Sequence, residues 1–422
     1  MTKQNNRLAQ IIRAFDSKNY RLFFIGQGIS LIGSWITRIA TIWVVYQLTK
    51  SPLLLGTVEF ASQIPSLLVT PLAGIIVDRC NRHRLLIITQ VLSMIQSLVL
   101  AVLALTGVIN IEQILLLSVF QGLVNAFDIP GRQTFVIEMV EKKENLGNAI
   151  ALNSSLFNSA RLIGPAIAGL LIAAVGAGAC FLIDGLSYIA VIISLLMMKI
   201  KPREEIATKT ANHWQRLQEG FVYGLGFPPI RAILMLLALV SLTGMTYVIL
   251  VPIFATQILQ GSSDTLGFLM SASGIGALTS GIYLSSRQTI LGLGKIIALS
   301  PAVLGIALMG FALSRSLWLS LLMMYAIGFA SILQIASSNT LLQTIVDDDK
   351  RGRIMSLYTM AFMGTLPFGN LFAGVLAEKI GAPYTLVIGG AFCILGSFIF
   401  YQKLPSLRKF VIPIYTRIGI LP

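Results

Sequence analysis

Gly74-Ile75-Ile76-Val77-Asp78-Arg79-Cys80-Asn81-Arg82-His83-Arg84 separates two long apolar runs, Pro52 to Val77 and Leu85 to Thr106. Each run is long enough for the roughly 20 apolar residues that carry a helix across a bilayer. The segment between them is therefore a tight turn joining two membrane helices. It carries Arg79, Arg82, Arg84 and Asp78 where a few neutral residues would close the hairpin. Arginine holds a loop on the cytoplasmic side. Gly74 permits close helix approach, and Asp78 can accept from helix N-terminal amides or pair with an Arg.

Composition agrees. Hydrophobic residues make up 55% of the 422 and charged residues 11%, too apolar a balance for a soluble chain. The net charge of +14 raises nucleic acid as a partner, but its distribution argues against that. With the N-terminus placed inside, nearly all of the 31 Lys and Arg fall in the N-terminal arm, in the loops after every second span, or in the tail. The exceptions are Lys50, Arg315 and Lys379 on the opposite side, and Arg38 and Arg161 within spans. That asymmetry is a topology signal with both termini cytoplasmic, not a nucleic-acid footprint. Cys80, Cys180 and Cys393 are scattered, with no metal or disulfide spacing. His83, among arginines, reads as a solvated residue rather than a ligand, and no cofactor is implied. A polar stretch of some twenty residues precedes a first apolar run too long for the core of a signal peptide.

Residues 7–17 place Leu8, Ile11, Ile12 and Phe15 on one face, as in a helix lying on the membrane. Spans follow at Tyr20–Leu48, Pro52–Val77, Leu85–Thr106, Ile111–Thr134, Leu146–Val175 and Ala179–Met198. Residues 199–228 are the long polar stretch, with a short amphipathic helix expected over His213–Phe221. Six more spans are expected at 230–258, 265–286, 291–313, 316–345, 352–378 and 382–402, then an interfacial tail from Lys403. The halves repeat: Gly147, Gly164, Gly169, Gly176 and Gly185 fall on Gly352, Gly369, Gly374, Gly381 and Gly390 at one offset. The expected architecture is an all-α membrane protein of twelve helices in two pseudo-symmetric bundles. These are residues 1–200 and 229–422, joined by a cytoplasmic linker over 201–228. Transporters built this way place the site at mid-depth between the halves.

Polar residues recur at helical spacing within the spans. Gln27, Ser30, Ser34, Arg38 and Thr41 share one face of the first, and Glu59, Gln63, Ser66 and Thr70 one face of the second. Ser118, Gln121, Asn125 and Asp128 line the fourth, and Ser154, Asn158 and Arg161 the fifth. Such stripes read as the wall of a water-filled cavity, or as hydrogen-bonding glue between helices. In the second half the corresponding wall is Tyr247, Gln334, Ser338, Asn339 and Asn370, which suits an uncharged or amphipathic ligand.

A charge inside a membrane is a functional candidate by default. Arg38 precedes Lys50 by twelve residues and Glu59 follows it by nine, so the two lie about 18 and 14 Å below the outer loop. That is pairing distance. Glu59 is the candidate proton carrier and Arg38 the partner that tunes it; a static ion pair is the alternative. Asp128, near the inner end of its span, is expected to pair with Arg79 or Arg82 in a cytoplasmic gate. Asp184 is expected to be structural, reaching toward Arg161.

The pattern G-x-x-x-D-R-x-x-R-x-R at Gly74–Arg84 resembles the loop 2–3 signature of the major facilitator superfamily. Arg161-Leu162-Ile163-Gly164-Pro165-Ala166-Ile167-Ala168-Gly169 resembles the antiporter motif of its exporters, with Leu170 where a second glycine is usual. There Pro165 and the flanking glycines imply a bend that closes one side. Asn19–Phe24, Asp128–Gln133, Asn148-Ala149 and Glu219–Phe221 are similar to the enterobactin-exporter-like and macrolide-efflux-like branch. The resemblance implies the major facilitator fold and efflux, in a bacterial inner membrane, without naming a cargo.

No phosphate-cradling loop, catalytic triad or metal cluster supports an enzyme or an ATP-driven pump. The reading is a proton-coupled exporter of a small amphipathic compound such as a siderophore, macrolide or drug. The alternatives are a facilitator or importer of a metabolite or lysolipid, and a membrane sensor or scaffold. Small molecule, protons and membrane lipids are the expected partners, and a monomer suffices because one duplicated chain forms a complete pathway.

Overall fold

A computed structural model of the chain describes residues 13–199, 222–287 and 289–417. Among these residues, eleven helices are long and apolar enough to cross a bilayer. One of them, Leu146–Leu196, has 51 residues and would be about 75 Å long, more than twice the ~30 Å of a hydrocarbon core. It breaks at Gly176, where φ is 80° and ψ 165°, a conformation that glycine alone adopts without strain. The break turns one run into two crossings and gives twelve. They are α1 (Lys18–Thr49), α2 (Pro52–Arg79), α3 (Arg82–Leu105), α4 (Ile111–Met139), α5 (146–175) and α6 (177–196). The second set is α7 (Pro228–Ile258), α8 (Ser263–Ser286), α9 (Leu293–Leu313), α10 (Leu317–Ile345), α11 (Lys350–Ile380) and α12 (Ala382–Arg417).

These helices fall into two compact units. The first holds residues 13–50, 58–199 and 262–267 of those described; the second holds 51–57, 222–261 and 268–417. Tyr20 and Phe23 of α1, Leu86 of α3, Phe135 and Met139 of α4, and Val191 and Leu195 of α6 form one buried cluster at the end of the first unit where α1 begins. Outward faces are apolar, as lipid requires: Leu116, Ile306, Phe372 and Trp318 are all exposed.

Several local readings change. Residues 1–12 lie outside the described set, and 13–16 form a 3₁₀ turn rather than part of an α-helix. That turn is tied down: the Ala14 amide donates to Asn148 Oδ1 and Asn145 Nδ2 donates to the Arg13 carbonyl, 3.0 and 3.1 Å. The expected helix over His213–Phe221 also falls outside the described residues. Two spans expected to be continuous are interrupted. α7 breaks at Gly244–Thr246 and ends in a π turn at Phe254–Ile258, after Pro252; α11 breaks at Gly364-Thr365, just before Pro367. A proline withholds an amide and crowds the preceding turn, so the helix loosens there. Gly369 of α11 seats on the Leu242 carbonyl of α7, so the two breaks lie at one crossing. The tail is helical through Arg417. Phe410 meets Phe227 edge-on at 6.1 Å, and Arg417 pairs with Asp347 at 2.7 Å.

Candidate functional site

In the first unit the geometry centres on Glu59, which is 4% exposed. Arg38 Nη2 donates to its Oε2 at 2.7 Å, and Nε reaches both carboxylate oxygens at 3.2 and 3.3 Å. Gln63 Nε2, one turn along α2, donates to the same Oε2 at 3.0 Å. The Arg38 guanidinium lies 5.2 Å from the centre of the Trp35 ring. The side chain of Arg38 remains 28% exposed against 5% for Glu59. The carboxylate is thus enclosed while its partner keeps contact with the surroundings, so the pair has an open side. The two residues expected within pairing distance of one another do form an ion pair.

Further along the same face of α1, Ser34 Oγ lies 3.2 Å from the Tyr188 hydroxyl, and Gln27 and Ser30 are buried. On α4, Gln121 Nε2 donates to Ser93 Oγ at 3.0 Å and to Asn125 Oδ1 at 3.1 Å. These stripes are therefore also knitted to neighbouring helices. Nothing is described of the side chains of Asn158 and Asp78. Arg161 is half-buried and partnered.

The pairing around Asp128 differs from the expectation. Asp128 takes Arg132, one turn on in α4, at 2.5 Å, together with Thr89 Oγ1 at 2.9 Å and Gln90 Nε2 at 2.8 Å from α3. Arg82 pairs instead with Glu138 at 2.9 Å, because the start of α3 abuts the end of α4. Arg79 and Arg84 are exposed. The i,i+4 partner on the same helix face outcompetes a loop arginine because less chain must be ordered to reach it. His83 is half-buried rather than solvated, 2.7 Å from the Leu195 carbonyl and stacked on Phe135. Gly74 makes no close approach: a methyl there would meet nothing within 4 Å. Gly122 on the Ser62 carbonyl supplies the contact between α2 and α4 instead.

Arg132→Gln should destabilise the protein by about 3 kcal/mol, since it leaves a buried carboxylate with neutral donors only. Asp128→Asn on top of it should recover most of that loss. A melting curve of each purified variant reads the difference; two equal, additive losses would mean that the pair is not coupled.

Asp184, 2% exposed, accepts from Ser97 Oγ of α3 at 2.9 Å, and Gly33 of α1 packs directly on it. It ties three helices together. Helix α5 runs through Pro165 without a break, so the interruption falls at Gly176, not in the motif. Gly164 seats against the Trp35 side chain and Gly169 against the backbone of Gly267. These glycines are close-packing positions.

In the second unit Tyr247 bonds Ser273 at 3.1 Å, hydroxyl to hydroxyl. Gln334, Ser338 and Asn370 are buried, and both ends of Gln334, the Ser338 hydroxyl and the Asn370 amide nitrogen have no partner among the described residues. Buried polar atoms are nearly always satisfied, so these are among the atoms left to meet a ligand or water, as are the hydroxyls of Ser331 and Ser337 on the same helix as Gln334. Sequence reasoning missed Tyr188, Thr89, Gln90 and Glu138. Thr89 and Gln90 belong to a polar stripe of α3, with Ser93, Gln96 and Ser97, that the reading of the sequence left unmarked. Tyr188 stands beside Ser187 and one turn from Asp184 on α6, and Glu138 sits among charges that read as a loop. No group of residues suited to hold a metal occurs among the described residues.

Comparison with known proteins gives a consistent neighbourhood. The family model described as transmembrane secretion effector matches residues 11–411. The staphyloferrin A transporter of Staphylococcus aureus is 27% identical, over 90% of this chain and 95% of its own. The multidrug efflux pump Tap of Mycolicibacterium fortuitum is also 27% identical, over 89% and 93%. A bacterial homologue of the human lysosomal transporter Spinster, solved in an inward-facing, unoccupied conformation, superposes with a TM-score of 0.71 over 94% of this chain and 98% of that one. It is 14% identical, so it speaks to the fold alone.

Proposed function

Since the chain belongs to the transmembrane secretion effector family of the major facilitator superfamily, and is a secondary transporter and not an enzyme, we propose that it exports a small amphipathic compound in exchange for protons. The cargo of this reading is a siderophore, macrolide or drug; the relatives named above are a staphyloferrin A transporter and a multidrug efflux pump. The reading places the protein in a bacterial inner membrane as a monomer with both termini cytoplasmic, and treats residues 201–228 as the linker between two half-transporters.

The observation that carries the coupling is the enclosed Arg38–Glu59–Gln63 arrangement. An unpaired charge at the centre of a bilayer costs about 2.5–3.5 kcal/mol, so Glu59 stays paired while ionised. When a proton arrives from the outer side it neutralises Glu59, the electrostatic hold on Arg38 lapses, and Gln63 can remain bonded to the neutral acid. Two states of one residue then bias two conformations, which is what alternating access requires. Cargo binding relies on hydrogen bonding by Gln27, Ser34, Gln121, Asn125 and Asn158 in one half, and by Tyr247, Gln334, Ser338 and Asn370 in the other. Breakage of the Asp128–Arg132 and Arg82–Glu138 pairs accompanies opening of the inner side.

Inverted vesicles loaded with an acid-inside pH gradient provide the test. Uptake of Hoechst dye, or of a labelled siderophore, should rise with the gradient and collapse with a protonophore. Transport indifferent to the gradient but driven by the cargo's own concentration would make the protein a facilitator and overturn the reading.

A further inference from the structure

The apolar span of α12 ends near Tyr401, yet its helix continues to Arg417, so residues 403–417 lie beyond the ~20 residues needed to cross and sit in the headgroup zone. Between this extension and the rest of the second unit is a cavity of about 270 Å³. Its wall is apolar: Ile233 of α7, Leu341 of α10, and Leu404, Leu407 and Val411 of α12. Arg408 and Tyr415, seven residues apart and so on one helix face, complete the lining. Arg408 is exposed and has no carboxylate partner among the described residues, whereas Arg417, at the end of the same helix, is neutralised by Asp347. A cavity of this form offers hydrocarbon walls to an acyl chain and one uncommitted guanidinium, with a phenol beside it, to an anion. By residue count along α12 both features begin where the apolar span ends, the level at which a phospholipid's tails meet its phosphate.

We propose that this cavity binds one acidic phospholipid of the surrounding bilayer, with an acyl segment along Ile233, Leu341, Leu404, Leu407 and Val411 and the phosphate region on Arg408 and Tyr415. The lipid fastens the α12 extension to the second unit alongside the Phe227–Phe410 and Asp347–Arg417 contacts. Arginine suits the role because its planar fork takes a phosphate through two bonds. The inference depends on the membrane-spanning fold and not on the cargo, and its test reads lipid binding without transport.

Delipidated, detergent-purified protein is titrated with phosphatidylglycerol and with phosphatidylcholine, and bound lipid is counted by native mass spectrometry. The wild type should retain one phosphatidylglycerol in clear preference to phosphatidylcholine. Arg408→Gln should weaken that adduct about tenfold, the loss of one charge-assisted contact. Lys409→Gln, which removes the same charge outside the cavity, should leave it unchanged. Val411→Trp, which fills the cavity, should abolish the adduct while the variant melts normally without lipid; if it does not, Val411→Phe replaces it. Equal losses in Arg408→Gln and Lys409→Gln would reduce the effect to diffuse surface charge and overturn the proposal. So would equal retention of the two lipids, or a filled cavity that still binds phosphatidylglycerol like the wild type.

Discussion

Glu59→Gln should cut proton-driven export by about two orders of magnitude, equivalent to roughly 2.7 kcal/mol on the rate-limiting step, while leaving the protein folded in the membrane. Glutamine keeps the size of the side chain and can still face Gln63, but it carries no proton at working pH and gives Arg38 no charge to hold. The neutral state is then permanent, and the exchange loses the step that resets it. Arg38→Ala should behave differently. It strips the enclosed carboxylate of its cation, a loss of about 3–5 kcal/mol for a buried pair broken on one side, so the amount of folded protein should fall along with transport. Arg38→Lys keeps the charge without the fork that now reaches both carboxylate oxygens, and should retain partial activity. Dye efflux normalised to membrane protein separates the three. Full proton-driven export by Glu59→Gln would place the proton on another carboxylate, and Asp128→Asn and Asp184→Asn, at the two other buried acids described in this unit, would be the variants to compare.

The spans were legible because lipid imposes one rule on every helix, sufficient length and sufficient apolarity, which can be read without knowing neighbours. The Arg38–Glu59 pair was legible for a related reason. The two residues flank one short turn, so their depth follows from counting along two rigid helices, and a charge at that depth must find its partner nearby. Asp128 was not legible in the same way. Candidate cations existed on the loop and on its own helix, and the choice between Arg82 and Arg132 depended on how far α3 lies from α4. The breaks in α7 and α11 escaped because glycine and proline signals inside a membrane helix do not say whether a neighbour will re-satisfy the freed backbone groups. Gly176 falls in the gap between the fifth and sixth spans of the sequence, and the structure makes it a single-residue turn between two crossings.

Glycines that appear alike in sequence also divide by what faces them, and this gives the largest stability effect expected in the second unit. Gly276 of α8 seats on the carbonyl of Tyr325 in α10, and Gly328 of α10 seats on the carbonyl of Ser273 in α8. Each glycine lies three residues from the carbonyl that receives its opposite number, so the two backbones touch at a crossing with no side chain between them. Thr279 and Tyr325 share a hydroxyl bond at 3.0 Å beside it. Helices in lipid gain nothing from burying apolar surface against one another, so close backbone packing is what holds such a crossing. A methyl at Gly276 or Gly328 has only backbone to push against, and backbone cannot rotate away. Gly328→Ala should therefore cost about 1–3 kcal/mol as an overpacked contact, despite the ~1 kcal/mol that alanine gains over glycine as a helix former. Gly328→Leu should prevent assembly of the folded unit. Gly281→Ala, on the same helix as Gly276 but facing open space, should keep the propensity gain and melt at or above the wild type. Opposite signs at Gly328 and Gly281 are the expected result of thermal melting in detergent; equal shifts would mean that the crossing is not closed by its glycines. Because Ser273 also holds the Tyr247 hydroxyl, a widened crossing in Gly328→Ala should lower transport per folded molecule as well, which efflux normalised to folded protein would register.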